Sequence, residues 1–187
     1  MRGNAHKSAV HSPVERLRSP SLTFAGKEDS VATKEELTSG LHLLVAEAKR
    51  IGARLTDEEW GMASDEAGWN NRQMFAHVAA VGTIVVPFMT AIANAPAGAD
   101  SGAGLDIDAM NAQTVAQRAD RSIGDLVSEY QSGYGSVVDF VDKTPAEFFE
   151  RRGTVGGYKD MTIGDLMMQM IVMHGVSHLY HAASRFP

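Results

Sequence analysis

Residues Met74 to Ala95 are apolar nearly all round, interrupted only by His77, Gly82, Thr83, Pro87, Thr90 and Asn94. A helix with no polar face has to be enclosed, by lipid or by other helices. About 20 apolar residues suffice to span a bilayer. Against a span, the run is rich in near-neutral Ala, contains His and Pro, and lacks a flanking Lys/Arg cluster. A central helix surrounded by neighbours is therefore expected, with no membrane partner. Asn70 is a good N-cap for it, with Gln73 at the third helical position.

The neighbours are written on either side. Thr33-Lys34-Glu35-Glu36 is a capping box, followed by Leu37, Leu41, Leu44, Ala48, Ile51 and Leu55 at alternating spacings of four and three. Ile107 to about Lys143 is helical in pattern and broken near Asp120-Arg121-Ser122, with Gly124, Gly133 and Gly135 weakening it locally. Thr144-Pro145-Ala146-Glu147 begins a short helical turn. Arg151 to Asp160 contains Gly153, Gly156 and Gly157 and is expected as a loop; with no strand before it, a phosphate-binding reading has no support. Thr162 caps a last, methionine-rich helix, with Asp165 at its third position. No strand-like alternation is evident, so residues 33–187 are expected as an all-α, antiparallel four-helix bundle. Asn94 to Asp106, rich in Gly, Ala and Pro, is expected as a movable cover over a pocket. Residues 1–32 are Ser/Pro-punctuated and mildly basic, without the apolar block of a signal peptide, and are expected as a disordered extension.

Charge and cysteine content narrow the function. The formal net charge is -6 and no basic recognition helix is visible, so no nucleic-acid partner is expected. There is no cysteine, which removes disulfides, thiolate zinc sites and a cysteine nucleophile, and fits a cytoplasmic protein. Any thiol chemistry has to use a thiol supplied by a small molecule.

Three of the seven histidines, His174, His178 and His181, fall within eight residues. On a helix turning about 100° per residue, His178 lies roughly 40° and His181 roughly 20° from His174, so all three share one face. His6 and His11 belong to the extension, and His42 lies off the stripe of the first helix. His77, early in the central helix, is the one histidine elsewhere placed to complete a site. Imidazoles at i and i+4 can grip one ion, and a third ligand from a facing helix leaves a fourth position open, the catalytic arrangement. Satisfied core or surface histidines remain the alternative on residue types alone. His-Glu-x-x-His, paired Glu-x-x-His and Gly-x-Ser-x-Gly are all absent.

In order and separation, Gly68-Trp69-Asn70, Phe75-Ala76-His77-Val78, Asn111-Ala112-Gln113, Thr162-Ile163-Gly164-Asp165-Leu166 and Met173-His174-Gly175-Val176-Ser177-His178 resemble the DinB-like superfamily. That superfamily includes bacterial thiol S-transferases and the metal-binding domain of mycothiol-dependent maleylpyruvate isomerases. The resemblance implies a four-helix bundle in which His77, His174 and His178 bind a divalent ion, commonly zinc or nickel. It also implies that a metal-activated thiol such as mycothiol or bacillithiol attacks an electrophilic substrate, in S-transfer or thiol-assisted isomerisation. Where members often continue with Arg-Gly-Gln, this chain has Leu179-Tyr180-His181. His181 is then an alternative to His174 as ligand or lies just outside the ligand set, and His181 or Tyr180 would shuttle a proton. A non-catalytic metal-binding stress-response bundle and a metal-free helical dimerisation module are the competing readings, and exposed apolar helix faces would suit a homodimer.

Overall fold

The computed structural model describes residues 31–66 and 68–184. The expectation for the extension thus falls, as far as residue 30, outside the described residues. The class is all-α, as expected. Helix α1 (Lys34–Arg54) starts at a reciprocal box in which Thr33 N–H donates to Glu36 (2.9 Å) and Glu36 N–H donates to the Thr33 hydroxyl (3.1 Å). All six residues of its stripe are buried. A short helix, α2 (Asp57–Gly61), precedes the central helix α3 (Asn71–Ala93). Next come α4 (Ile107–Ala116) and α5 (Ile123–Lys143), the latter capped by Ser122 at the expected break. After α6 (Ala146–Glu150) the chain ends in α7 (Ile163–Met167), a π-helical turn (Met168–Met173) and α8 (His174–Ser184).

Helices α1 and α3 each pack against α5 and α8, which closes the bundle. The enclosure demanded by α3 is met there. By length and composition α3 could cross a membrane, but 56% of its most apolar stretch is buried inside the protein. Two tyrosines of α5 fasten it. Tyr130 Oη donates to the Phe75 carbonyl (3.0 Å) and Tyr134 Oη to the Val78 carbonyl (2.7 Å), both buried. The helices can approach this closely because Gly133 faces Gly82; a Cβ at 133 would lie 3.1 Å from the Gly82 carbonyl carbon.

Two expectations are corrected. The stretch after α6 is a hairpin, not a loop: β1 (Arg152–Val155) pairs antiparallel with β2 (Tyr158–Thr162), with Gly153 opposite Met161. Strands of four and five residues are too short for alternation to show in sequence. The contact that orders them is tertiary, since a Cβ on Gly153 would lie 2.3 Å from Ile92 Cγ2 on α3. The second correction concerns residues 94–106. Ser101 N–H donates to the Thr154 carbonyl (2.9 Å), and Asp100 Oδ1 accepts from Gly102 N–H (2.8 Å) and Gly156 N–H (2.9 Å), pinning the segment to the hairpin. It also comes after the C-terminal end of α3, roughly 24 Å along the axis from His77 at about 1.5 Å per residue. It is therefore no cover for a site built around His77.

The glycines of α5 should respond oppositely to substitution. Gly133→Val is expected to destabilise by about 1–3 kcal/mol, because the α3 backbone cannot move aside. Gly135, exposed and with nothing within 4 Å of an added Cβ, should gain about 0.5–1 kcal/mol on replacement by Ala. Chemical denaturation of the two variants measures both; equal effects would contradict the close approach.

Candidate metal centre

Local capping decides where His77 stands. Asn70 Oδ1 accepts from Gln73 N–H (2.8 Å) and Gln73 Oε1 accepts from Asn70 N–H (3.0 Å), starting α3 and putting His77 in its second turn. Asn71 is buried and ties the preceding turn down, its N–H donating to the Met62 carbonyl (2.9 Å) and its Nδ2 to the Glu59 carbonyl (2.9 Å). That turn is closed by Ser64 N–H donating to the Trp69 carbonyl (2.9 Å) and by Gly68 at φ 84°, a left-handed conformation that favours glycine. It carries Asp65 and Glu66 toward α8.

On the other side, the π turn ends where α8 begins at His174. The extra residue of a π turn rotates the downstream helix by about 100° relative to an uninterrupted α-helix, and such turns recur at functional sites. Gly175 then lets α8 come in close: a Cβ there would lie 2.8 Å from Leu44 Cδ1 and 3.2 Å from Val78 Cγ1.

Ring nitrogens of His77, His174 and His178 consequently lie within 4.8 Å of one another. His77 Nε2 and His174 Nε2 are 3.2 Å apart. His178 Nδ1 donates to Asp65 Oδ2 at 3.1 Å; in the neutral ring this leaves Nε2 as the acceptor. Glu66 Oε1 is 3.5 Å from that Nε2. His77 Nδ1 is buried without a hydrogen-bond partner. His181 stands apart from this trio. Its side chain is 51% exposed and its Nδ1 is 3.9 Å from Asp65 Oδ2; about 10 Å along the axis from His174, it reaches the rim. Tyr180 is 70% exposed. Spacing and residue type do not single out Asp65 and Glu66. Acidic residues crowd many surface turns, and the only signal is their place just before the cap of the helix that bears His77.

Electrostatics favour neutral rings at His77 and His174. Burial, reinforced by His178, lowers the His77 pKa to about 4. Burial, with His178 and His77, lowers that of His174 to about 3, against an opposing pull from Asp65. For Asp65, burial pushes the carboxyl up, but the hydrogen bond and charge of His178 outweigh it and hold the group below its usual value. Neutral imidazoles are the form that ligates metal. A cation between the facing Nε2 atoms of His77 and His174 would replace the contact they make with each other. The donor set therefore fits a divalent ion of the borderline class. The Trp69 ring is 5.2 Å from that of His77, and Trp69 also lines a cavity of about 420 Å³ between α3 and α4 that none of the three histidines reaches.

The pKa shifts fix a sign. The unfolded chain protonates these rings near pH 6.5, the folded chain only near pH 4 and 3. Between those limits the unfolded state binds more protons, so stability is full above about pH 6.5 and falls on acidification by up to about 1.4 kcal/mol per pH unit for each ring. Urea melts of metal-free protein from pH 7 to 4 should show this decline, and a His77→Phe variant should show a shallower one.

Solved structures share the fold. An uncharacterised protein from Escherichia coli UTI89 matches with a TM-score of 0.62 at 12% identity, over 82% of this chain and 92% of its own. The mycothiol-dependent maleylpyruvate isomerase matches with a TM-score of 0.62 at 15% identity, over 80% of this chain and 60% of its own, so the present chain spans only part of that enzyme. The colibactin self-resistance protein ClbS, solved in complex with a dsDNA, matches with a TM-score of 0.62 at 9% identity, over 83% and 96% of the two chains. That complex corrects the expectation of no nucleic-acid partner: this fold is found bound to DNA. Net charge sums the whole chain, whereas phosphate contact depends on local surface, so the acidic balance does not exclude it. No curated protein matches the sequence significantly. The DinB superfamily model matches residues 44–182, and the chain belongs to that superfamily.

Proposed function

We propose that this chain is a divalent-metal-dependent enzyme that uses a low-molecular-weight thiol, in S-transfer or thiol-assisted isomerisation, with His77, His174 and His178 holding zinc or nickel. The observation that carries this reading is the meeting of three imidazole nitrogens from two separated helices within 4.8 Å. Bound there, a divalent ion supplies Lewis acidity, lowering the pKa of a coordinated thiol so that thiolate exists near neutrality.

The chain's own residues have separate tasks. Asp65 holds the His178 ring in the tautomer that presents Nε2. Trp69 covers one side of His77. His181, 3.9 Å from Asp65 and half exposed, would pass a proton to solvent; Tyr180, at 70% exposure, lies further into solvent. Because the chain has no cysteine, the sulfur comes from a small molecule. Mycothiol and bacillithiol are the thiols we assign, the first supported by the mycothiol-dependent neighbour.

Elemental analysis of protein purified without a His tag should find close to one zinc or nickel per chain, and close to none in His77→Ala. Asp65→Asn should weaken metal binding by about 10- to 100-fold while leaving the fold intact. Metal-loaded protein given mycothiol or bacillithiol and a model electrophile should consume the thiol faster than metal-free protein. A normal metal content with no such rate for either thiol would leave a metal-binding module. An absence of metal would leave histidines that merely bond to one another.

A further inference from the structure

Four-coordinate zinc sites have metal–nitrogen and metal–oxygen bonds of about 2.0–2.2 Å, so neighbouring ligand atoms around one ion stand about 3.3–3.5 Å apart. The gap between His77 Nε2 and His174 Nε2 is 3.2 Å. The gap between His178 Nε2 and Glu66 Oε1 is 3.5 Å. Each matches one edge of a coordination tetrahedron; Glu66 lies outside the trio whose donor atoms fall within 4.8 Å of one another, and a turn of its side chain would bring its carboxylate to the fourth corner. The nitrogen that Glu66 faces is the one freed for an ion when His178 Nδ1 donates to Asp65.

The supports of these four groups differ. The histidines stand on α3 and α8, and the His178 side chain is only 6% exposed. Glu66 belongs to the turn before Trp69, and its side chain is 45% exposed. The turn is held through main-chain groups: Glu66 N–H donates to Ser64 Oγ (3.1 Å), and its carbonyl accepts from Trp69 N–H (3.1 Å). The carboxylate can therefore swing without disturbing the backbone that carries it.

We infer that Glu66 is a fourth, exchangeable ligand, which closes the ion's coordination in the resting protein and gives way to the sulfur of an incoming thiol. The inference rests on the metal-centre reading above. In the exchange one metal–oxygen bond breaks and one metal–sulfur bond forms, the thiol proton leaving to water. Glu66 thus separates a closed, storage-like state from an open, reactive one.

Cobalt(II) titration of the tag-free full chain tests this, with visible absorption as the readout. The wild type should take up one equivalent and show the intense bands of a four-coordinate ion. Glu66→Ala and the isosteric Glu66→Gln should still take up one equivalent, but with affinity lowered about tenfold and weaker bands as water enters. With 2-mercaptoethanol as probe, the sulfur-to-cobalt charge-transfer band should appear at several-fold lower thiol in Glu66→Ala than in the wild type, and Glu66→Asp should fall between. Identical spectra, affinities and thiol titrations in wild type and both variants would overturn the role of Glu66 and leave the three-histidine centre standing. No cobalt uptake by the wild type would overturn the centre itself, and Glu66 with it.

Discussion

The position of α8 against α1 and α3 rests on the missing side chain at Gly175, where a Cβ would meet Leu44 and Val78 at 2.8 and 3.2 Å. Interiors are packed too densely to absorb such an overlap without moving a helix. The imidazoles on either side of Gly175 reach His77 only because the helix axes come this near. A corresponding approach of Gly133 to Gly82 sets the distance between α5 and α3, and the two buried tyrosine hydroxyls hold it. His77 is thus fixed from one side by α5 and met from the other by α8. Helix packing brings its Nε2 to 3.2 Å from that of His174, within hydrogen-bond reach.

That packing has an electrostatic consequence. The burial that makes the bundle compact also removes water from His77 and His174, and a charged imidazole is disfavoured there. The rings stay neutral over the physiological range and present lone pairs, while His77 Nδ1 finds no partner at all. A buried polar atom left unmatched costs about 1–3 kcal/mol. The protein tolerates this unmatched ring nitrogen at one end of its core. Asp65 works in the opposite sense, as a turn residue whose carboxylate fixes the tautomer of the third ring.

Charge is where whole-chain reasoning falls short. A formal net charge of -6 describes the molecule seen from far away. Salt screens such a field within about 10 Å, so recognition is decided by the groups at the surface in contact. The occurrence of this fold in a complex with dsDNA is consistent with that distinction.

Much of the architecture can be read along the chain, because its causes are local. The boxes at Thr33/Glu36 and Asn70/Gln73, the break at Ser122 and the cap at Thr162 each involve residues three apart, and the stripe from Leu37 to Leu55 repeats with the helical period. The same periodicity brings out His174 and His178 as a pair and makes His77 the natural partner. The rest lies in contacts that sequence spacing does not encode. His77 and His174 are 97 positions apart, and Asp65 and His178 are 113 apart. The docking of the short hairpin on Ile92 and the pinning of residues 94–106 to it likewise arise where distant segments meet, and the π turn before His174 has no mark in the residue spacing. The sequence by itself determined the helices and the kinds of donor they carry, since hydrogen bonds within three or four residues decide those. Only the tertiary structure decided that the donors converge, and that Asp65 meets His178, since convergence depends on how closely one helix can lie against another.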